Sequence, residues 1–475
     1  MTRAVTCGAL VCVLALIQSS GAPVTAQRRP EGPKTATAGQ LLISEFRVRG
    51  PLGANDEFIE IYNASGSPHT VSAASGTGYG IAASDGVTRC SIPNGVVIPN
   101  HGHFLCVNSI GYSLASYPAG PGPGAVGDAT YATNINDNAG IALFNNNSGG
   151  GSYSLANRLD AVGSTAEVNA IYKEGAGYPQ LNSVIESSSV QYSFFRKWVG
   201  MCGESTCGGL GVLAAPAASS ALVDTNNNAT DLQFGDPNGT SAGGGQHLAA
   251  PGPENTTSPI MLDGSSQLLY QKASGCSPRD GAPNTVHDPT SDPANNANFG
   301  TLDLRTGWKN TTGAGITRLR FRIVDISTFP SAVAYADLRP RSAPSASITV
   351  DGYPCGTGTS TVTAQATVLE SPPSQANGGG FNSTLTVPSV TAGTPLNNGS
   401  SITVRFLLGI QQNGITRFCV IPETIPASPG DPYCYISTGG SVPTTRYPGD
   451  FDNDGTAEMP LYNSATGQWL SLIHI

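Results

Sequence analysis

Asp450, Asp452 and Asp454 occupy alternate positions in GDFDNDGTAE (residues 449–458), with Gly455 next and Glu458 four residues after the third aspartate. Alternation turns successive carboxylates the same way, and Ca2+ takes about six to eight oxygens in flexible geometry. Gly455 lets the chain turn sharply around an ion, Thr456 offers its backbone carbonyl, and Glu458 closes the sphere. The spacing therefore predicts a calcium loop held by Asp450, Asp452, Asp454, Thr456 and Glu458.

Other clusters point to chemistry less strongly. DTNNNATD (residues 224–231) offers Asp224, Asn226, Asn228 and Asp231, but neutral amides are weak ligands, and side chains capping a turn before Leu232 are the expectation. His101 and His103 in HGH have the spacing to share a metal; without a visible third ligand they read as a solvated hairpin tip. His287–Asp288 has no G-x-S-x-G elbow, H-E-x-x-H helix or Cys–His pair to work with. Glu60, near Asp56 and Glu57, is expected to be structural or superficial. No catalytic residue and no organic cofactor is assigned, and Ca2+ is the one ion expected.

The compartment follows from the N-terminus. Residues 1–26 carry Arg3, an apolar run from Ala4 to Ile17, and small residues before a cleavage point after Ala26, which is a secretory signal. That run is too short for a membrane span, and no transmembrane segment is expected in the mature chain. Cys7 and Cys12 leave with the signal. Cys90, Cys106, Cys202, Cys207, Cys276, Cys355, Cys419 and Cys434 remain, an even number in an exported chain, so disulfides are expected. Proximity suggests Cys90–Cys106, Cys202–Cys207, Cys276–Cys355 and Cys419–Cys434. The net charge of −9 argues against nucleic acid as a partner, because phosphate binding needs a basic surface.

These groups must be positioned by strands. Charged residues are only 12% of the chain, while Gly (59) and Pro (35) are abundant, a composition that disfavours helix and favours short strands between turns. After a flexible leader at 27–38, QLLISEFRVRG alternates Leu42, Ser44, Phe46 and Val48 with Ile43, Glu45 and Arg47. EFIEIYNAS sets Ile59 and Ile61 on one face and Phe58, Glu60 and Tyr62 on the other. GVVIPNHGHFLCVN reads as a hairpin that brings Cys90 and Cys106 onto neighbouring strands. Further on, TRLRFRIVD places Leu319, Phe321 and Ile323 opposite Arg318, Arg320 and Arg322, which predicts one buried and one wet face. Such a wet arginine face is a weaker candidate for acidic sugars or anionic polymers. SITVRFLLGI alternates likewise.

LLISEF, DEFIEIYN, VVIPNHGHFLCV, GIALFNNN and RLDAVG, in this order, resemble the lamin tail domain, an immunoglobulin-like sandwich of nuclear lamins and exported bacterial proteins. The resemblance covers residues 39–258 and implies a binding or anchoring module. GDFDNDGTAEMPLYNSATGQW resembles one FG-GAP or VCBS-type repeat of β-propellers, with Asn453 in place of the usual Gly and Glu458 in place of Asp. The expected fold class is all-β: the immunoglobulin-like sandwich at 39–258, a second β-sandwich at 259–424, a linker at 425–447, and an incomplete propeller-type repeat at 448–475. One blade cannot bury its own faces. Further repeats are therefore expected beyond Ile475, and the closing SLIHI reads as translated sequencing adaptor. The expected role is secreted or cell-surface attachment to protein or glycan, or to extracellular matrix. The alternative is the non-catalytic N-terminal part of a secreted nuclease- or phosphoesterase-type hydrolase.

Overall fold

A computed structural model describes residues 35–117, 124–181, 191–198, 222–238, 246–262, 267–331, 334–352, 354–370 and 376–437, and the backbone of Pro460–Asn463 and Gln468–Ser471. Nearly every regular element in it is a strand, as the composition requires. The first sandwich has a seven-stranded layer in the order His247–Leu248, Leu232–Asp236, Ser193–Arg196, Leu41–Arg47, Phe58–Asn63, His103–Asn108, Ala129–Tyr131. Facing it is a four-stranded layer, Arg158–Val162, Ile141–Phe144, Gly78–Ala83, Thr88–Pro93. Ile43, Phe46, Ile59, Ile61, Ile81 and Leu143 fill the space between them.

Strict alternation does not hold in Leu41–Arg47. Ile43 and Phe46 both enter the core although they are three residues apart, because the pairing with Phe58–Asn63 shifts register between Ile43 and Glu45. A bulge of this kind re-aims every later side chain on its strand. It turns Glu45 and Arg47 outward, onto the side of Glu60. The Cys90–Cys106 pairing is present, but it does not join neighbours. Cys90 lies in the four-stranded layer and Cys106 in the seven-stranded one, so the bond staples the two sheets together. The expected hairpin is absent: Val97–Ile98 pairs with His69–Thr70, while His103–Asn108 pairs with Phe58–Asn63.

The second sandwich stacks Leu268–Lys272, Thr301–Asn310, Ser401–Gln412, Thr359–Gln365 and Ala346–Asp351 over Val368–Glu370, Thr384–Thr386, Arg318–Ile326, Thr416–Ile425 and Tyr433–Ser437. Trp308, Leu319, Phe321, Ile323, Phe406 and Phe418 make its core. Cys276–Cys355 and Cys419–Cys434 are bonded, the latter directly across paired strands. This sandwich runs past residue 424: Tyr433–Ser437, in the stretch expected to be linker, is its outer strand. Cys202 and Cys207, the signal segment and the calcium loop lie outside the described residues. Among the described residues no helix is long and apolar enough to cross a membrane.

The arginine face of Arg318–Ile326 is not wet. Arg318, Arg320 and Arg322 are 3%, 1% and 3% exposed, and both faces of the strand are buried. The alternation is as the sequence predicts. What covers the polar face is the chain itself, through residues 249–262, which bridge to this sandwich at Ala249–Phe381 and Ile260–Thr424.

Candidate functional site

The charged outer faces of the two sandwiches meet in one buried layer. Glu45 and Glu60 project from the first. Arg320 and Arg322 on Arg318–Ile326 and Glu423 on Thr416–Ile425 project from the second, and Glu254 comes from the connecting segment between them. All six are buried. Arg320 and Arg322 sit on alternate positions of one strand, so their guanidiniums lie side by side. Each reaches the same two carboxylates. Arg320 pairs with Glu254 and Glu423. Arg322 Nη2 lies 2.9 Å from Glu254 Oε2, and its Nε donates to Glu423 Oε1 at 2.6 Å.

His103 carries the network into the first sandwich. Its Nε2 is 3.0 Å from Glu254 Oε2, and its Nδ1 is 2.9 Å from Glu60 Oε1, at ion-pair distance though off the line of an N–H bond. Glu60 also accepts from Ser44 Oγ and, at 2.6 Å, from the Glu254 backbone N–H. Glu45 accepts from Gly252 N–H and Asn382 Nδ2, both at 2.9 Å, and the Asn382 carbonyl accepts from Arg322 Nη1 at 2.7 Å. A Cβ at Gly252 would stand 2.9 Å from Arg322 Nη1, so the guanidinium would have to shift to admit one.

Burial pushes the Glu45 carboxyl up to about 7, helped by the like charge on Glu60 and opposed by the Ser193 hydroxyl and by hydrogen bonds from Gly252 and Asn382. Burial also pushes Glu423 up, but the Arg320 and Arg322 charges outweigh it and hold that carboxyl below the usual range. Two carboxylates in one layer are thus driven apart by the cations that they do or do not touch.

Glu60, His103 and Glu254 bring ligand-type atoms within 4.8 Å of one another. Both ring nitrogens already face carboxylates, and Glu254 is shared with two guanidiniums, so the trio belongs to an ion-pair network. This corrects the reading of HGH as a solvated tip. His101 and His103 are both buried, with His101 in the left-handed region (φ 56) and its Nδ1 on the Tyr62 hydroxyl. Of the two expectations for Glu60, structural or superficial, its burial and pairing support the structural one.

A second buried cluster surrounds Arg196. Its Nη2 donates to Asp160 Oδ1 at 2.7 Å, and Asp224, Asp231 and Glu174 stand at 3.6, 3.5 and 4.0 Å. Burial, then the neighbouring Asp160 charge, pushes Glu174 up to about 9. Asp224 and Asp231 come from DTNNNATD, which caps its turn as the sequence suggests. Asp231 accepts from Thr225 N–H and Asn227 N–H, and the Asn228 carbonyl accepts from Gly163 N–H and Glu174 N–H. His287 and Asp288 end the strand Thr285–Asp288, where Asp288 accepts from Thr290 N–H. The expected calcium ligands Asp450, Asp452, Asp454, Thr456 and Glu458 lie outside the described residues.

Sequence reasoning missed the seam as a unit, although a signal was there. In a chain this poor in charge, Arg318, Arg320 and Arg322 occupy one face of one strand, and Glu423 stands opposite Arg320 in the register of the next. Regular charge on an otherwise apolar strand marks a face with a charged partner. Compared with known proteins, the chain matches no family model, no curated protein and no solved structure.

Proposed function

We propose that this chain is an exported binding or adhesion protein that presents two fused sandwiches to a protein or glycan at a cell surface, without a catalytic site of its own. One observation carries the reading. The acid, base and guanidinium groups that converge in the described residues are buried and paired with each other, which suits holding modules in a fixed relation rather than attacking a substrate. Stapling by Cys90–Cys106, Cys276–Cys355 and Cys419–Cys434 supports an oxidising, extracellular setting. The resemblance of residues 39–258 to a lamin tail domain supports attachment as the role.

Calcium binding by Asp450, Asp452, Asp454, Thr456 and Glu458 is part of the same proposal and rests on their spacing. The test is the full chain on glycan and matrix-protein arrays, with Ca2+ and with chelator. Selective capture, weakened by chelation and by Asp452→Asn, is the expected result. A folded protein that captures nothing in either condition overturns the binding role. Capture indifferent to chelator and to Asp452→Asn removes calcium from it.

A further inference from the structure

The seam holds more acid than base, and the surplus has a place. Both nitrogens of His103 lie at ion-pair distance from carboxylate oxygens, Glu60 Oε1 and Glu254 Oε2. Two guanidiniums, Arg320 and Arg322, and the His103 ring stand against Glu60, Glu254 and Glu423. Glu45 is the fourth carboxyl, and its two oxygens are held by neutral donors, Gly252 N–H and Asn382 Nδ2, rather than by a guanidinium.

We propose that this seam is a proton-sensitive latch between the two sandwiches, closed at mildly acid pH and loosened as the medium turns alkaline. Ionising Glu45 places an anion beside Glu60 in a layer whose cations are already matched. Arg47, two residues along the same strand, is held by Asp56 and cannot answer it. Arg322, on the facing strand, feels the Glu45 charge but is already paired with Glu423 and Glu254. Tyr112 and Tyr117 also feel it, but burial pushes their hydroxyls far up, so neither changes charge over the same range. The Tyr117 hydroxyl donates to the Glu370 carbonyl of the second sandwich and is a neutral tie that pH leaves alone. Glu45, Glu60, His103 and Glu254 are among the residues that line one small, partly open pocket at the seam.

The direction follows from linkage. Glu45 titrates higher in the folded protein than in the unfolded chain, so its contribution is complete below the ordinary glutamate value and is lost as pH rises through about 7. Glu423 is shifted the other way, and its contribution is lost only as pH falls through its depressed value. Between the two the latch is tightest.

The test is hydrogen exchange on the full chain at about pH 5, 7 and 9, corrected for intrinsic rates. Peptides covering residues 250–256 and 320–324 report the latch, and Thr301–Asn310 serves as a core reference. Seam protection is expected to fall about tenfold or more from the acid to the alkaline end while the reference holds. Glu45→Gln, fixed in the uncharged form, is expected to remove most of that fall. If the variant does not fold, the infrared carbonyl band of a protonated buried carboxyl, titrated in the wild-type protein, replaces it. Flat seam protection overturns the proposal. So does a fall that Glu45→Gln leaves intact, a fall shared equally by the reference strand, or the lack of a carboxyl band titrating near neutrality.

Discussion

The seam and the Arg196 cluster are built from the same parts, buried carboxylates around guanidiniums, yet they solve the charge problem differently. In the seam two arginines on one strand and His103 divide among themselves the three glutamates Glu60, Glu254 and Glu423. Among the described residues, a single guanidinium, that of Arg196, faces Asp160, Asp224, Asp231 and Glu174, with Arg158 helping at Glu174. There the backbone does the remaining work. Asp160 accepts from Ile43 N–H at 2.6 Å, and Asp231 from two turn amides. Where backbone donors are free, as at a turn, carboxylates can be buried with few cations. Where two sheets meet face to face, their ladder amides are already used; the connecting segment lends the Gly252 and Glu254 N–H groups, and side-chain cations balance the rest of the charge.

Removing the central cation from each cluster tests this contrast most severely. Arg196→Met should cost at or above the upper end of the roughly 3–5 kcal/mol typical of breaking a buried pair, because several carboxylates lose one partner together. Arg322→Met should fall within that range, since Arg320 still reaches both Glu254 and Glu423. Urea midpoints at constant m-value measure both, and the reverse order would break the comparison.

A smaller effect separates the clusters by pH. Glu174 has a folded value of about 9, so its contribution is present below the ordinary glutamate value and is lost as pH rises toward 9. Glu174→Gln should therefore gain on the wild-type protein through that window, by on the order of 1.4 kcal/mol per pH unit at most. Melting curves of both proteins at several pH values check the slope. A constant difference would mean that Arg158 and Arg196 keep Glu174 ionised. The smallest effect is expected at the cap. Asp231→Asn keeps an acceptor for the turn amides and removes one charge from an acid-rich site, so it should cost no more than about 1 kcal/mol. A larger loss would show that charge, and not the acceptor geometry, holds that turn.

Much of the architecture was legible in period-two patterns. Ile59 and Ile61, or Leu319, Phe321 and Ile323, enter the cores they predict, and three of the four expected cysteine pairs fall among the described residues and are bonded. The candidate site was legible only in pieces. Alternation tells which residues share a face, but not whether that face meets water or another sheet. Alternation alone therefore puts the arginines in solvent and gives His103 and Glu60 no partners. The bulge in Leu41–Arg47 hid Glu45 in the same way, by breaking the frame that a strict pattern assumes.

By itself, then, the sequence determined strand after strand, the apolar side of each, and the turn chemistry of DTNNNATD, because these depend on neighbours a few residues apart. Only the tertiary structure decided that the polar sides of two sheets would close on each other. Glu45 and Asn382 are 337 residues apart in the chain. What such groups do depends on the charge standing opposite them in space, which no local pattern contains.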